Sequence, residues 1–207
     1  MSVTSIKAKQ FKAVAADTNS IAESQTTAGA GDLSLDGSQV VNGAANDGSN
    51  MASTVTIKSL TGDNSTVDFT VTGTDASAAT LTETITGPGT GLTVTTTNAF
   101  LTVTNVSVDG AIPGTVEVGF TATTTTTGVV FAGATRIRGM HGVSSSTAGA
   151  LIIREGSQTG SKLLEIDTPA AAGQVDPYIP DEGIRYQTGA FIDISAGYDS
   201  ATIFFDG

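Results

Sequence analysis

The only histidine of the chain, His141, and the serines that follow it are the first residues whose types could do chemistry. His141 lies in "RGMHGV", three to five positions before Ser144, Ser145 and Ser146. A serine activated by a histidine is the arrangement of a nucleophilic hydrolase, which also needs a positioned base and an oxyanion hole. Residues this close together in a glycine-rich turn rarely reach that geometry. The pattern therefore favours a turn over an active site.

A second group of chemically capable residues lies in "DPYIPDEG", where Asp176, Asp181 and Glu182 flank Tyr178. Two carboxylates about 5–9.5 Å apart can hydrolyse a glycosidic bond, and a tyrosine beside them can contact a sugar. Ordinary turn chemistry explains Asp before Pro and Asp-Glu-Gly equally well. We expect either a structural loop or a surface-contact tip that contains Asp176, Tyr178 and Asp181. The loop "AGYDS", with Tyr198, is a second candidate of the same kind.

Glycine- and aspartate-rich segments resemble metal or phosphate loops only superficially. "NDGSN" at 46–50 and "GDNS" at 62–65 lack the full spacing of a calcium loop. "GPGTG" at 87–91 lacks the Lys-Ser/Thr ending of a phosphate cradle. The chain has no cysteine, which excludes disulfides and thiolate metal sites. We therefore predict turns at these positions, and no metal and no cofactor.

The net charge of -11 over 207 residues is distributed unevenly. Residues 17–125 carry eleven acids against Lys58 alone, and residues 126–207 carry nine acids against five bases. This excess of negative charge repels the phosphate backbone of nucleic acid, so nucleic acid is not an expected partner. No secretion signal and no stretch long enough to span a membrane is readable, so we expect a protein that neither is exported nor binds a membrane.

Residues 1–16 are the exception in charge, because they carry three lysines and no acid. They alternate weakly and lack turn signals, which fits either an extended arm or an edge strand of the first domain. We predict a docking arm for an acidic partner surface, although a solvated terminus has the same composition. The predicted docking residues are Lys7, Lys9, Phe11 and Lys12.

Short strands must position all of these residues. The chain holds 35 threonines and 25 glycines, a composition typical of half-buried strands joined by tight turns. Apolar residues alternate with threonine in "STVTIKSL" and "TVDFTVTG", and such runs recur about every ten residues up to 121. Threonine on the solvent side of a strand keeps the β-favouring branched shape while its hydroxyl stays hydrated. The fold class predicted is all-β.

The five consecutive threonines in "TATTTTTG" (121–128) interrupt the alternation, and six further strand-like runs follow them. We predict an arm over 1–16, a threonine-rich β-sandwich over 17–125, and a second sandwich or jelly roll over 126–207.

Two segments resemble structural proteins of tailed bacteriophages. "FTVTGTDASAATLTETITGPGTGLTVTTTNAFLTVTNVSVDG" (69–110) is similar to a stretch in small virion proteins of this kind, and "RIRGMHGVSSSTAGALIIREG", "LLEIDTPAAAG" and "GIRYQTGAFIDI" resemble small β-sandwich modules of the same proteins. The resemblance covers roughly residues 53–207 and brings no catalytic residue.

The resemblance implies a non-enzymatic virion component, assembled in the bacterial cytoplasm. We expect a capsid decoration or cement protein that binds the major capsid protein or other virion proteins, as a homo-oligomer for which analogy suggests a trimer. The alternative is a tail or fibre component that contacts host-surface glycan. An enzyme acting on a surface polymer is a third and weaker hypothesis, since the acids and the single histidine do not converge in the sequence.

Overall fold

The structure, a computed structural model, describes residues 5–123 and 126–207, which form nineteen β-strands and no helix. The predicted all-β class is confirmed. The strands are β1 (Lys7–Lys12), β2 (Asp17–Gln25), β3 (Gly31–Asp32), β4 (Val40–Val41), β5 (Ala44–Ala45), β6 (Ser53–Thr61), β7 (Asp68–Thr74), β8 (Thr80–Thr86), β9 (Thr93–Phe100), β10 (Thr102–Val108), β11 (Thr115–Phe120), β12 (Thr126–Phe131), β13 (Thr135–Ser144), β14 (Gly149–Glu155), β15 (Lys162–Thr168), β16 (Gly173–Val175), β17 (Ile184–Tyr186), β18 (Ala190–Ile194) and β19 (Tyr198–Asp206).

These strands belong to two compact units. The central unit comprises Val14–Gly48 and Ala52–Ala122, and the terminal unit comprises Met1–Ala13, Ser49–Met51 and Thr123–Gly207. The predicted connector at 121–128 includes residues 124 and 125, which lie outside the described range. From residue 126 onward the chain is already strand β12, so the threonine run ends as part of a sheet.

The central unit contains two antiparallel sheets around one core. The first sheet has the order β2-β11-β6-β9, and the second has the order β4-β5-β10-β7-β8 with β3 beside β10. Ile57 and Val118 of the first sheet and Phe69 and Val106 of the second are buried in the same hydrophobic cluster. Burying each such side chain stabilises the fold by about 1.5–3 kcal/mol. The unit is therefore a two-layered β-sandwich, as the alternating sequence predicts.

Strand β7 shows how the sequence produces this arrangement. Phe69 and Val71 are fully buried, whereas Thr70 and Thr72, which alternate with them along the strand, lie on the outer side. A strand turns successive side chains to opposite faces, so apolar residues at every second position all reach the core.

Glu83 connects the two sheets of the central sandwich at one edge. It lies on the inner face of the edge strand β8, and its carboxylate accepts hydrogen bonds from the backbone N–H groups of Thr97 at 2.7 Å and Asn98 at 2.8 Å. Partial burial opposes ionisation of Glu83, but these hydrogen bonds outweigh it and hold the pKa below its usual value. An inward-pointing charge also discourages an edge strand from pairing with another chain.

The terminal unit repeats the two-sheet plan. One sheet has the order β1-β19-β13-β16 with β17 beside β13, and the other has the order β12-β18-β14-β15. Ile137 and Ile203 of the first sheet share a buried cluster with Leu151 and Ile192 of the second. The second sandwich predicted from the sequence is confirmed as two packed antiparallel sheets.

The N-terminal segment is not a separate arm, which corrects the prediction for residues 1–16. Strand β1 pairs along its whole length with β19, from Lys7 opposite Phe205 to Lys12 opposite Ser200. The physical reason is Phe11, which is 0% exposed in the core of the terminal unit. The alternative, an edge strand of the first domain, has the right kind of element but the wrong domain, because the strand joins the sheet formed by the C-terminal half of the chain.

We predict that Phe11→Ala lowers the free energy of unfolding of the terminal unit by about 3–5 kcal/mol, because it leaves a cavity in a closely packed core. Urea unfolding followed by tyrosine fluorescence measures this directly, since the chain has no tryptophan and all three tyrosines belong to this unit. The matched control is Lys12→Ala, an exposed residue of the same strand, which should change stability by less than about 0.5 kcal/mol. Equal effects of the two substitutions would show that β1 is not docked as described.

Candidate functional site

The single histidine does not meet the neighbouring serines. Nδ1 of His141 lies 2.8 Å from Oδ1 of Asp176. The hydroxyls of Ser144 and Ser145 instead donate to backbone carbonyl groups, each at 2.8 Å. These contacts stabilise turns and strand ends. They do not place a serine hydroxyl as a nucleophile beside the imidazole of His141 as its base.

The predicted turns at 46–50 and 62–65 are confirmed as local hydrogen-bonded turns. The side-chain oxygen of Asn46 accepts the N–H of Gly48 at 2.7 Å, and that of Asp63 accepts the N–H of Ser65 at 3.0 Å. Short polar side chains that bond to the backbone two residues on are typical of turns. Within the described residues, no three His, Asp or Glu side chains are grouped so that they could hold a metal ion.

The predicted docking residues at the N-terminus are mostly engaged inside the terminal unit. Lys7 Nζ donates to the carbonyl of Gly207, and Lys9 Nζ donates to the carbonyl of Val129, both at 2.7 Å. Burial lowers the pKa of Lys9. Phe11 is a core residue, so its prediction as a docking contact is wrong. Lys7 and Lys12 remain exposed at the sheet edge.

The loop of residues 176–183, here called the tyrosine loop, is fastened to β13 at its C-terminal end. Nη1 of Arg136 donates to the carbonyl oxygen of Glu182 at 3.0 Å and to its carboxylate at 3.1 Å. Nη1 of Arg138 donates to the carbonyl oxygen of Asp181 at 2.7 Å. Charge-assisted hydrogen bonds of this kind are roughly twice as strong as neutral ones. Two of the three predicted acids of the loop, Asp181 and Glu182, are thus held by arginines, a connection that the sequence does not reveal.

The same strand holds the beginning of the loop through His141 and Asp176. The end of the loop is further fixed by Gly183, whose φ of 68° is costly for other residues, and whose N–H donates to the carbonyl of Pro180 at 2.7 Å. A Cβ atom on Gly183 would lie 2.7 Å from the carbonyl oxygen of Ile137, so a side chain does not fit there. The loop is therefore held at both ends.

Tyr178 is displayed at the tip of this loop, with 85% of its surface exposed. The next residue, Ile179, packs against the core of the terminal unit. Because Ile179 turns inward, Tyr178 points to solvent. An aromatic ring that is already held in place loses little conformational entropy when it binds a partner.

Tyr198 differs from this, and its prediction as a surface contact is wrong. It begins β19, is 2% exposed, and its hydroxyl donates to the carbonyl of Ile166 at 3.1 Å. Burial, with a smaller contribution from the charge of Asp167, raises the pKa of Tyr198 to about 12. The side chain is part of the core because β19 begins at Tyr198 rather than after it.

An arginine row on the outer face of the first terminal sheet was missed by the sequence analysis. Arg136 of β13 lies directly opposite Arg185 of β17 on one side and Asp206 of β19 on the other. These three residues line a groove of about 490 Å³. The sequence shows only that all four arginines belong to the second half of the chain. The register that aligns them depends on pairing between distant strands.

The outer face of the central unit carries a threonine face, formed by the outward threonines of β7, β8 and β10. Thr70 and Thr84 share a hydrogen bond of 2.8 Å between their hydroxyls, and Thr74 and Thr102 share one of 2.7 Å. Cross-strand hydroxyl pairs of this kind stabilise a sheet. The face is polar, as the sequence predicts, and it includes one carboxylate, because Asp68 lies on the same side of β7 as Thr70 and accepts the hydroxyl of Thr86 at 2.9 Å.

Comparison with protein-family models, with curated proteins and with solved structures gives no match. In the part of the chain that the structure describes, no helix is long and apolar enough to cross a membrane. The geometry of the residues is therefore the basis for any functional proposal.

We predict that His141→Ala loosens the N-terminal end of the tyrosine loop, because it removes the partner of the Asp176 carboxylate. The NMR order parameter of the Tyr178 amide should fall from about 0.85, a rigid backbone, towards 0.6. Lys12→Ala, on a different strand of the same sheet, is the control and should leave it unchanged. An unaltered order parameter in His141→Ala would mean that the arginines alone fix the loop.

Proposed function

We propose that the chain is a non-enzymatic accessory structural protein of a tailed-phage virion, and specifically a decoration or cement protein on the outer shell of the capsid. The observation that carries the proposal is the threonine face, a sheet surface whose hydroxyls are paired across strands. Such a surface is hydrated and rich in hydroxyl groups, which suits the exterior of a particle. The resemblance of residues 69–110 to small virion proteins, expected from the sequence alone, agrees with the same function.

The charges of the two units fit this role. All eleven acids of residues 17–125 belong to the central unit, with Lys58 as its single base. The terminal unit is nearly neutral and contains every arginine. The low net charge of the terminal unit suits contact with the shell, and the like charge of the acidic central unit keeps particles apart.

Docking then uses the edge strand β1 and its exposed lysines, Lys7 and Lys12, against an acidic patch of the major capsid protein. Individual exposed ion pairs contribute only about 0–1 kcal/mol, so one copy would bind weakly. A homo-oligomer, for which we propose a trimer, presents several such edges at once and gains affinity through avidity.

We expect quantitative mass spectrometry of gradient-purified particles to find this protein in a fixed ratio to the major capsid protein. The double variant Lys7→Glu/Lys12→Glu should reduce its copy number several-fold, because it reverses the charge of the docking edge. Lys162→Glu, at an exposed lysine of β15, is the control and should be incorporated normally. Protein that is free in the lysate and missing from purified particles would contradict the proposal.

Tyr178 favours a second candidate function, a tail or fibre component that contacts host-surface glycan. An aromatic ring that is 85% exposed on a doubly fastened loop has the properties of a binding anchor. The neighbouring acids Asp176 and Asp181 are exposed and offer hydrogen-bond acceptors to sugar hydroxyls.

Under this second function, Tyr178→Ala should slow adsorption of particles to host cells about tenfold without reducing particle yield. Leu163→Ala removes another exposed apolar side chain, 43% exposed on β15, and should adsorb at the normal rate. Normal adsorption of the Tyr178→Ala particles would exclude the tyrosine loop as the contact.

A further inference from the structure

Arg185 differs from the other three arginines of the chain. Each of those has a carboxylate partner within 3.5 Å, whereas Arg185 has no ion pair among the described residues. The three pairs are Arg136–Glu182 at 3.1 Å, Arg138–Asp206 at 3.3 Å and Arg154–Asp193 at 3.5 Å. Arg185 is exposed and lines the groove described above.

Arg136 and Arg185 are directly opposite each other in neighbouring antiparallel strands. Like charges in this position destabilise a sheet. An oxyanion placed between the two guanidinium groups would remove the repulsion and accept paired N–H donors, the geometry in which arginine binds carboxylate or phosphate. The one carboxylate already on Arg136 belongs to Glu182, whose side chain is 92% exposed, so a ligand can displace it at little cost.

The remaining walls of the groove restrict the ligand further. A volume of about 490 Å³ is within the range of small-molecule sites. Asp206 also lines the groove, and its carboxylate, 3.3 Å from Arg138, repels a second anionic group. The same carboxylate can accept hydrogen bonds from the hydroxyl groups of a ligand. The groove therefore favours a ligand with one acidic group and several hydroxyls.

We propose that this groove binds a sugar acid, with its carboxylate between Arg136 and Arg185 and its hydroxyls towards Asp206. The site goes beyond the virion proposal and does not depend on it. It is also separate from the predicted contact at Tyr178, although Arg136 belongs to the groove and to the fastening of the tyrosine loop.

The test is a titration of the ¹⁵N-labelled full chain with sodium glucuronate at constant ionic strength, followed by amide chemical shifts. We expect saturable shifts confined to residues 134–136, 184–186 and 206–207, and to Glu182, whose carboxylate the ligand displaces, with millimolar affinity. Arg185→Ala should weaken binding at least tenfold, because it removes one of the two guanidinium groups. Arg154→Ala removes an arginine of the same unit that lies outside the groove, and it should bind as the unchanged chain does.

Four results would overturn the proposal: no saturable shifts, equal loss of binding in Arg154→Ala, binding of acetate as tight as that of glucuronate, or tighter binding of inorganic phosphate. Glucose should produce no shifts at the same residues, because it lacks the carboxylate. Arg185 is exposed, and its removal relieves the repulsion with Arg136, so tyrosine fluorescence should show that its variant unfolds at no lower urea concentration than the unchanged chain. If the groove does not bind glucuronate, the virion proposal is unaffected, because the mass spectrometry of purified particles detects incorporation of the protein and not binding of a sugar.

Discussion

Each strand of this chain buries one face and leaves the other in water, and the rest of the structure depends on that constraint. A sheet with one apolar face is stable only when a second sheet covers it, so each unit closes as two layers around a single core. The inner positions are consequently restricted to residues such as Ile57, Phe69 and Ile203. The outer positions are free to vary, and the two units use them differently. Threonines occupy them in the central unit, and arginines occupy them in one sheet of the terminal unit.

Open sheets also have edges, and an exposed edge can pair with another chain. Each unit protects one of its edges by charge. In the central unit, Glu83 points inward from β8 and accepts N–H groups of β9, which ties the two sheets together at that side. In the terminal unit, β1 presents Lys7, Lys9 and Lys12 along its edge. Lysines at an edge strand have a structural role as well as a possible docking role, which explains why composition alone could not separate the two.

The sequence predicts what depends on local periodicity and fails where distant segments meet. The alternation in "TVDFTVTG" was sufficient to place Phe69 and Val71 in the core, and Asn46 and Asp63 identify their own turns. Strand β1, in contrast, pairs with β19 near the opposite end of the chain, and nothing within residues 1–16 reveals that partner. The alignment of Arg136 with Arg185 has the same origin, since register between strands is set by the whole sheet. Tyr178 and Tyr198 have similar loop-like neighbours, and only the ends of the strands determine that one is exposed and the other buried.

Strand β13 connects the core of the terminal unit to both of its candidate surfaces. Its inner side chains, Ile137 and Met140, are buried, while Arg136, Arg138 and His141 on its outer side hold the tyrosine loop, and Arg136 also lines the groove. Close packing fixes the inner residues, and the fixed backbone in turn fixes the outer ones. The cationic side chains therefore act from a rigid base, and the loop that they hold is ordered before any partner arrives. This arrangement reduces the entropy lost on binding, which is the main way in which a small, exposed surface with few apolar residues can bind specifically.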